Sequence, residues 1–421
     1  MLDTDPVSPS IQETDVLIAG AGPAGTTCAL ALAESGLRVT LVDKAAFPRD
    51  KICGDALSGK VVSVLKYLNL AVRDDLYAFP EKLGSWGIRF IAPSGEALDI
   101  PFASQASQAI PRPPGFISPR LDFDNFLLEQ VRQRTDTRII EGFPVMSLTR
   151  TPTGILATGP DGAQIRTRLL IGADGAHSVV TRQLSDIRMD KRHHSAGIRV
   201  YYQGITGFHE RNFIELHYIR ELLPGYLWIF PLPHGRANVG LGMLSADVSR
   251  HRVNLRQRLT DILRTHPALA ARFANAVPEG PASGFGLPLG SRRRRLSGER
   301  FMLTGDAASL IDPFSGEGIG NAMISGRLAA AQAQTCFATQ DFSAAAIRAY
   351  DQALYRKIGS ELRLSYRMQQ LVNYPWLFDW VVRKANRNQA LQTMFTMMFE
   401  NLDIRQELSK PGFYLKLLNI K

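Results

Sequence analysis

The sequence predicts an α/β fold, because three stretches of it each pass from an apolar strand through a glycine-containing loop into a helix. These stretches cover residues 15–36, 166–184 and 300–330. Strand–loop–helix units of this kind build sheets of parallel strands with helices packed on their faces. The chain has 421 residues, which is more than one hydrophobic core usually serves, so two or three domains are expected.

The first unit has the spacing of a dinucleotide-binding turn. The run DVLIAG predicts a buried parallel strand, GAGPAG follows it, and a second strand ends at Asp43. Gly20 permits the tight turn, Gly22 lets the backbone approach a pyrophosphate, and Gly25 lets the helix pack on the strand. N–H groups at the helix N-terminus would hold phosphates, and Asp43 is placed to accept a hydrogen bond from a ribose hydroxyl. This motif leaves NAD and FAD as alternatives.

The second and third units also end their strands in polar, glycine-containing loops. The second unit has Asp174 and Gly175, and the third has Gly305 and Asp306. Asp306 could accept a hydrogen bond from a ribityl hydroxyl, and N–H groups of residues 316–320 could face the pyrimidine ring of a flavin. A single loop of this kind is often only a helix N-cap, but three in this order favour a cofactor site.

In their order along the chain, the motifs GAGPAG, ADG and GDAA…P..GEGI resemble those of the p-hydroxybenzoate hydroxylase-like group of FAD-dependent oxidoreductases. The resemblance covers residues 14–335 and implies bound FAD on a glutathione-reductase type, Rossmann-like fold. In relatives the arginine of an R-x-x-F-D pattern, here Arg120, touches FAD, and IIEGFPVMSL (139–148) resembles the strand that holds the adenine. The cofactor-binding residues that this resemblance and the motifs predict are Gly20, Gly22, Pro23, Ala24, Gly25, Asp43, Lys44, Arg49, Lys51, Cys53, Gly54, Arg120, Val145, Asp174, Gly175, Gly305, Asp306, Pro313, Gly316, Gly318, Ile319 and Gly320.

Two further stretches resemble the geranylgeranyl reductase family within that group. PRDKICGD at 48–55 resembles the family's signature loop, and Tyr226, Trp228, Phe230 and Pro231 match its Y-x-W-x-F-P pattern. The resemblance implies that the loop lies beside the isoalloxazine ring and that the aromatic strand lines a substrate tunnel. Alternating aromatic residues are also typical of ordinary sheet packing, so the face that they share is either core or tunnel wall.

Cys53 and Tyr226 are the candidate catalytic residues. Saturating an isoprenoid double bond takes one hydride and one proton, and a thiol beside the flavin could donate the proton or position the alkene. The alternative for Cys53 is a small buried hydrophobic residue, and Tyr226 and His234 are weaker candidates for the acid.

The chain is expected to divide into a leader, two domains and a cap. We predict a disordered leader at 1–13, an FAD-binding domain from 14–80, 112–190 and 296–335, a substrate-binding β-sheet domain from 81–111 and 191–295, and a helical C-terminal cap at 336–421. Within the cap, YPWLFDWVV and LQTMFTMMF are rich in aromatic residues and methionine. We favour the core of the cap for them, and an amphipathic surface that meets a membrane is the alternative.

Composition and charge limit the partners. Three widely separated cysteines suit a reducing cytosol and give no disulfide framework or metal-ligand spacing. The net charge is +10, but Arg292–Arg295 is the one dense basic run, and we favour a solvated turn there over a phosphate site. We therefore expect a cytoplasmic monomer without a nucleic-acid partner. Peripheral contact with the inner membrane surface stays open, because residues 341–421 carry a balance of +5.

The favoured function is an FAD-dependent reductase of isoprenoid double bonds in a geranylgeranyl lipid, a diphosphate or a quinone side chain. GFGLPLG at 284–290 has the wrong spacing for a second nucleotide fingerprint. NAD(P)H would therefore bind transiently, or a protein would donate the electrons. The alternatives are an FAD-dependent monooxygenase of an aromatic or lipid substrate and a flavoprotein electron carrier. A halogenase is a weaker variant, because its G-W-x-W-x-I-P stretch is not matched.

Overall fold

The computed structural model describes residues 11–102, 112–388 and 391–392. Its strands are β1 (Gln12–Ala19), β2 (Val39–Val42), β3 (Ala56–Leu57), β4 (Leu83–Ser85), β5 (Gly87–Ile91), β6 (Ala97–Pro101), β7 (Gly115–Ile117), β8 (Arg138–Ile140), β9 (Ser147–Thr151), β10 (Gly154–Thr158), β11 (Gln164–Gly172), β12 (His194–Gln203), β13 (Ile214–His217), β14 (Tyr226–Pro231), β15 (Arg236–Leu244), β16 (Val277–Pro288), β17 (Ser297–Gly298) and β18 (Phe301–Leu303). Its α-helices are α1 (Pro23–Ala31), α2 (Gly59–Leu68), α3 (Leu70–Ala78), α4 (Arg120–Arg134), α5 (Val179–Leu184), α6 (Ser245–His251), α7 (Leu255–Thr265), α8 (Ala270–Phe273), α9 (Ile319–Thr339), α10 (Ala344–Leu371) and α11 (Pro375–Ala385).

Five parallel strands form the centre of the first sheet, in the order β18, β11, β1, β2 and β8. The antiparallel strands β17, β10 and β9 extend it. Ala19 at the end of β1 pairs with Gly172, which in turn pairs with Leu303. The three glycine-containing loops therefore leave the sheet side by side, which confirms the predicted α/β fold class.

Glycine lets two helices approach each other closely beside this sheet. A Cβ placed at Gly326 of α9 would lie 2.1 Å from the carbonyl oxygen of Ala24 in α1. Gly25 has the same property toward the turn, since its Cβ would lie 1.9 Å from the carbonyl oxygen of Gly20. Real carbon–oxygen contacts are longer than 3 Å, so α1 keeps its place only while both positions are glycine.

The second sheet has seven strands in the order β16, β12, β15, β14, β13, β5 and β6. All neighbours are antiparallel except β13 and β5. Side chains along β14 alternate between two cores: Trp228 and Phe230 enter one, and Leu227 and Ile229 enter the other. The structure therefore confirms that the aromatic residues of β14 share one face.

Helices of the C-terminal part contact both larger sheets. Tyr350 of α10 donates a hydrogen bond to the carbonyl oxygen of Leu303, at the end of β18. Phe378 of α11 is buried in the aromatic core of the second sheet, with its ring centroid 4.9 Å from that of Tyr218. Strands β3, β7 and β4 form a third, three-stranded sheet, in that order. In the described parts of the chain, no helix has the length and hydropathy needed to cross a membrane.

The division into domains stays a prediction, and two of its boundaries fall inside elements. β1 begins at Gln12 rather than after residue 13, and α9 runs across the boundary set at 335. The single strand expected over 139–148 does not form. β8 ends at Ile140, and Gly142, with φ of +69°, leads the chain away from the sheet. The predicted methionine-rich stretch 391–399 lies mostly outside the described residues.

Replacing Gly326 by alanine is expected to lower the free energy of unfolding by about 1–3 kcal/mol, because the new methyl group forces α1 and α9 apart. The matched control is Gly359→Ala in α10, where the new Cβ would lie 3.5 Å from its nearest neighbour. That variant should be as stable as the parent or up to about 1 kcal/mol more stable. Urea unfolding followed by circular dichroism distinguishes the two, and equal stability of both variants would contradict the proposed close approach.

Candidate functional site

Two glycines shape the turn after β1: Gly20 packs against backbone, and Gly22 has free space beside it. Gly20 has φ of +106°, and a Cβ there would lie 2.3 Å from the carbonyl oxygen of Ala173. Gly22 is the N-cap of α1, Pro23 follows it, and no side chain caps this helix. A Cβ at Gly22 would meet only Nη2 of Arg49, at 3.7 Å. The uncapped N–H groups and this guanidinium face the same space, which suits an anionic pyrophosphate.

Asp43 directly follows β2, beside that turn, and is almost completely buried. Its carboxylate accepts hydrogen bonds from the backbone N–H groups of Ala21, at 2.8 Å, and Ala45, at 3.0 Å. Nη2 of Arg49 lies 3.8 Å away. Each carboxylate oxygen has two lone pairs, so Asp43 keeps capacity for the predicted ribose hydroxyl. Lys44, the next residue, is exposed.

Asp174 and Gly175 follow β11, and here the carboxylate has a structural task. Oδ2 of Asp174 accepts hydrogen bonds from the N–H groups of Val179, at 2.6 Å, and Val180, at 3.3 Å, at the start of α5. Burial raises the pKa of Asp174, although hydrogen bonds, that of Ser178 first, oppose the shift. Helix capping therefore accounts for Asp174 within the protein, and its contact with a cofactor stays a prediction.

A buried ion cluster holds the loop 47–59. Arg120 is the first residue of α4 and only 3% exposed, and its Nε and Nη2 donate to the two oxygens of Asp124 at 2.6 and 2.7 Å. Nη1 of Arg49 donates to the same carboxylate at 2.7 Å. Burial would raise the pKa of Asp124, but Arg120 and then Arg49 hold it below its ordinary value. Arg120 is therefore not a surface residue, which agrees with a functional placement.

Cys53 lies at the meeting point of this cluster and the second sheet. Burial alone would lower the pKa of Arg120, but Asp124 and then Cys53 raise it. The Cys53 side chain lies within hydrogen-bonding reach of Arg120. Nδ2 of Asn238 in β15 donates to the carbonyl oxygen of Cys53 at 2.6 Å. A Cβ placed at Gly54 would lie 2.7 Å from the ring of Phe230 in β14. The Cys53–Gly54 loop therefore contacts the aromatic strand directly.

Asp55 extends this contact into a buried polar network. Its backbone has φ of +70°, and its Oδ2 accepts hydrogen bonds from Tyr201 Oη at 2.8 Å and from Asn238 Nδ2 at 2.7 Å. Trp228 Nε1 donates in turn to Asn238 Oδ1 at 2.9 Å. Oδ1 of Asp55 is buried and has no hydrogen-bond partner among the described residues. Burial raises the pKa of Asp55 to about 6, although the hydrogen bonds from Asn238 and Tyr201 oppose the shift.

Asp306 follows β18 and pairs with the same loop. Nζ of Lys51 lies 3.0 Å from Oδ2 of Asp306 and 4.8 Å from the centre of the Phe285 ring. Gly305 has φ of +56°, and its N–H donates to Ser325 Oγ at 2.9 Å. Lys51 thus joins the loop after β2 to the loop after β18, on the side of the sheet where all three loops converge.

The segment 312–320 is shaped by its own polar groups and by Tyr226. Asp312 Oδ1 accepts hydrogen bonds from the N–H groups of Phe314, at 3.0 Å, and Ser315, at 2.8 Å. Tyr226 Oη donates to the carbonyl oxygen of Ser315 at 2.7 Å. A Cβ at Gly316, where φ is +73°, would lie 2.4 Å from that same hydroxyl oxygen. Burial, then Asp312 and Cys53, raises the pKa of Tyr226, so its hydroxyl stays protonated.

A buried lysine anchors the end of this segment. Lys60 of α2 pairs with Glu361 of α10, lies 3.6 Å from Glu317, and donates to Asn321 Oδ1 at 3.3 Å. Glu317 Oε1 accepts from the N–H of Gly320 at 2.6 Å, at the start of α9. Burial raises the pKa of Glu361 to about 7, although Lys60 opposes the shift. Pro313, at the other end of the segment, accepts from Gln369 at 2.7 Å, so α10 holds both ends.

The structure brings part of the predicted set of residues together. Gly20, Gly22, Asp43, Arg49, Cys53, Gly54, Arg120, Lys51 and Asp306 form one connected set, which reaches Tyr226, Trp228 and Phe230. Val145 lies in the loop between β8 and β9 instead of on a strand. The open α1 N-terminus, the adjacent guanidinium and the converging loops fit a dinucleotide with a pyrophosphate, which is the chemistry of FAD.

Four further residues of the site were not predicted from the sequence: Asp55, Asp124, Asn238 and Lys60. Asp124 had a signal, because it follows Arg120 by four residues on a helix and its side chain is therefore on the same face. Asp55 follows Gly54 in the quoted loop. Asn238 is 183 residues from Asp55, and no local spacing connects them.

Comparisons with known proteins identify the family of the chain. The family model described as "FAD binding domain" matches residues 13–332. The chain is 29% identical over 399 residues to a menaquinone reductase of Mycobacterium tuberculosis, covering 92% of this chain and 91% of the relative. It is also 29% identical over 357 residues to digeranylgeranylglycerophospholipid reductase 1 of Methanothermobacter thermautotrophicus, covering 84% of this chain and 85% of the relative.

Solved structures show the same fold. A geranylgeranyl bacteriochlorophyll reductase-like protein of Thermoplasma acidophilum superposes with a TM-score of 0.75 at 20% identity, over 95% of this chain and 99% of that one. The flavin-dependent brominase Bmp2 superposes with a TM-score of 0.76 at 21% identity, over 93% of this chain and 94% of that one. Because reductase and brominase fit equally well, the fold alone does not choose between reactions.

The raised pKa of Asp55 predicts a pH dependence of stability. The Asp55 carboxyl stays protonated in the folded state up to about pH 6, whereas an exposed aspartate, with a pKa of 3.8, loses its proton at lower pH. Stability from this group is therefore lost as pH rises from about 4 to about 6, by an amount on the order of 3 kcal/mol. Asp55→Asn should remove that slope, and Asp136→Asn, at an exposed site, should keep it. Urea unfolding of the FAD-bound variants between pH 4 and pH 7 measures the slope; an unchanged slope in Asp55→Asn would contradict the assignment.

Proposed function

The chain belongs to the FAD binding domain family, and we propose that it is a reductase that transfers hydride from reduced FAD to carbon–carbon double bonds of an isoprenoid lipid. The observation that carries this proposal is the direct contact between the Cys53–Gly54 loop and the aromatic face of β14. One side of that loop belongs to the cofactor region, and the other side is apolar. A hydrophobic substrate would therefore meet the cofactor at this loop.

We assign the residues of the converging loops to the cofactor. Gly22, the N-terminus of α1 and Arg49 would hold the pyrophosphate, and Asp43 would accept from the adenosine ribose. Asp306 would accept from the ribityl chain, with Lys51 as its partner. The remaining assigned positions lie in these loops or at the helix starts that follow them, except Val145 in the loop between β8 and β9: Pro23, Ala24, Gly25, Lys44, Val145, Asp174, Gly175, Gly305, Pro313, Gly316, Gly318, Ile319 and Gly320.

Bound FAD supplies the hydride, and the protein must supply one proton for each double bond that is saturated. Cys53 Sγ is the proton donor that we propose, because buried Arg120 orients its side chain and Asn238 holds its carbonyl. Tyr226 Oη is the second candidate, but its proton is engaged with the carbonyl oxygen of Ser315. Tyr226 would therefore mainly fix the 312–320 segment.

The aromatic core beyond β14 would receive the isoprenoid chain. Trp228 and Phe230 are 8% and 7% exposed and continue into a cluster with Tyr218, Phe314 and Phe378. Adjacent rings of this cluster lie with centroids 4.9–6.4 Å apart. Such surfaces suit an apolar chain and exclude water from the reacting carbons. The two relatives named above act, by their names, on a menaquinone and on a geranylgeranyl lipid.

A peripheral contact with the cytoplasmic membrane surface belongs to the same proposal. α11 buries Phe378 in the aromatic core and exposes Trp376 and Trp380 by 70% and 44%, and Tyr374, just before the helix, is 58% exposed. Exposed tryptophan and tyrosine are typical of surfaces that lie at a lipid headgroup region. A chain entering from the membrane at α11 would pass Phe378 directly into the aromatic core. The monomeric state and the electron donor, NAD(P)H or a protein, remain predictions.

The function is tested by following the flavin of the purified protein. After anaerobic reduction with dithionite, addition of geranylgeranyl diphosphate or a polyprenyl quinone should restore the absorbance of oxidised flavin. Mass spectrometry should then show a gain of two mass units for each double bond reduced. An unchanged isoprenoid, together with reoxidation that needs oxygen and incorporates it into the substrate, would replace the reductase with a monooxygenase. Reoxidation only by another redox protein would indicate an electron carrier.

Cys53→Ala is expected to keep full FAD occupancy and to slow reoxidation by the isoprenoid about 100-fold, because the proton donor is removed. Cys336→Ala, at a buried position in α9, is the matched control and should react at the parental rate. Rapid mixing of the reduced variants with substrate under anaerobic conditions measures the rate. Full turnover in Cys53→Ala would leave the thiol without a chemical role.

A further inference from the structure

A basic cleft of about 660 Å³ lies outside the site described so far. Two segments about a hundred residues apart line it: residues 186–192, after α5, and Arg292–Arg295, between β16 and β17. They contribute seven lysine and arginine residues and two aspartates, a balance of +5. Half of the chain's net charge of +10 is therefore concentrated here, and Arg292–Arg295 is not simply a solvated turn.

These cations are poorly neutralised by the protein itself. Among the described residues, the only ion pair within the cleft is Arg192 with Asp190, at 3.0 Å. Lys191 donates to Ser249, and Arg188 and Arg295 donate to backbone carbonyl oxygens. Seven cations that repel one another within one cleft cost stability, so the arrangement favours an anionic ligand.

Arg294 sits deepest among these residues and is incompletely satisfied. Its Nη1 donates to the carbonyl oxygen of Arg188 at 3.1 Å, and its backbone N–H donates to Tyr355 Oη at 2.9 Å. Its buried Nε has no hydrogen-bond partner among the described residues. Burial, and then the neighbouring charge of Arg292, lower the pKa of Arg294, so its charge is not fully compensated within the protein. A phosphate beside its guanidinium would supply the missing negative charge.

The cleft is connected to the cofactor segment by a short length of backbone. Gly290 donates its N–H to the carbonyl oxygen of Ile311 at 2.7 Å, and Leu289 forms a β-bridge with the same residue. Ile311 immediately precedes the 312–320 segment, and Ser291 immediately precedes the arginine run. Phe285, six residues before Ser291, contacts Lys51. A ligand of nucleotide size that is anchored in the cleft would therefore lie beside the cofactor region.

The volume and the mainly charged lining of the cleft favour a soluble ligand over a membrane surface. A cleft of this volume is in the range of small-molecule sites, and Ile187 and Met189 are its only apolar lining residues. The exposed aromatic residues are on α11, after α10 has ended at Leu371. Tyr355, which contacts Arg293 and Arg294, precedes Leu371 by 16 residues, or about 24 Å of helix.

We propose that this cleft binds the phosphate groups of a soluble pyridine dinucleotide, NADPH, and so docks the electron donor. The inference rests on the proposed function, since it names the source of the hydride that reduces FAD. NADPH gives one hydride to oxidised FAD and leaves as NADP⁺, so the two electrons later added to the isoprenoid are balanced. The 2′-phosphate and the pyrophosphate would both contact arginines, and NADH, which lacks the 2′-phosphate, would bind more weakly.

The test uses the oxidised, FAD-bound protein and Arg292→Glu, because Arg292 is exposed and has no ion-pair partner among the described residues. Isothermal titration with inorganic pyrophosphate, NADPH and NADH should show binding that weakens with salt. In Arg292→Glu, binding of NADPH and of pyrophosphate should fall on the order of tenfold or more. Arg256→Glu changes the net charge equally at an exposed position of α7 and should bind like the parent.

Two kinetic arms separate this inference from the proposed function. NADPH should reduce the flavin more slowly in Arg292→Glu, whereas dithionite-driven reduction of the isoprenoid should be unchanged. If dithionite-driven turnover fails in the parent protein, the proposed function is wrong. The titrations would still show whether the cleft binds NADPH. NADPH binding that is equal in Arg292→Glu and the parent would overturn the inference. The inference would also be overturned if Arg292→Glu lost only its binding to phosphatidylglycerol vesicles, because the cleft would then hold a lipid headgroup.

Discussion

The carboxylate of Asp124 is the group on which the site depends. It is fully buried and accepts hydrogen bonds from Arg120 and Arg49 at 2.6–2.7 Å. Arg120 in turn reaches the Cys53 side chain, and Arg49 faces the N-terminus of α1. A buried ion pair seldom adds much net stability, but removal of one partner costs about 3–5 kcal/mol, because a charge is left without compensation. The cluster therefore fixes geometry: one carboxylate holds both Arg49, which faces the N-terminus of α1, and Arg120, which lies beside the Cys53 thiol.

The second sheet depends on the same loop through Asn238. Its amide donates to the carbonyl oxygen of Cys53 and to Asp55, and its oxygen accepts from Trp228. Because an amide offers both donors and an acceptor, a single side chain ties the cofactor loop to the aromatic strand. Phe230 occupies the space that any side chain at position 54 would need. Cofactor region and apolar core are thus joined by direct packing, and neither can shift without the other.

Local spacing made part of this predictable from the sequence. The GxGxxG turn, the strand ends and the shared face of Trp228 and Phe230 follow from periods of two or a few residues, and the structure has them. The strand expected through Val145 fails for a local reason, since Gly142 turns the chain and proline follows. Asn238 and the basic cleft could not be found, because they arise from segments 100 or more residues apart. Only the folded sheets bring those segments together.

The proposed reaction requires the Cys53–Gly54 loop to lie between the flavin ring and the isoprenoid chain. A crystal structure of the oxidised, FAD-bound protein with a saturated polyprenyl analogue would show whether it does. We expect the isoalloxazine ring against Cys53 and Gly54, with the apolar chain along the Tyr226, Trp228 and Phe230 face of β14. An analogue bound elsewhere, or a flavin ring out of contact with this loop, would contradict it.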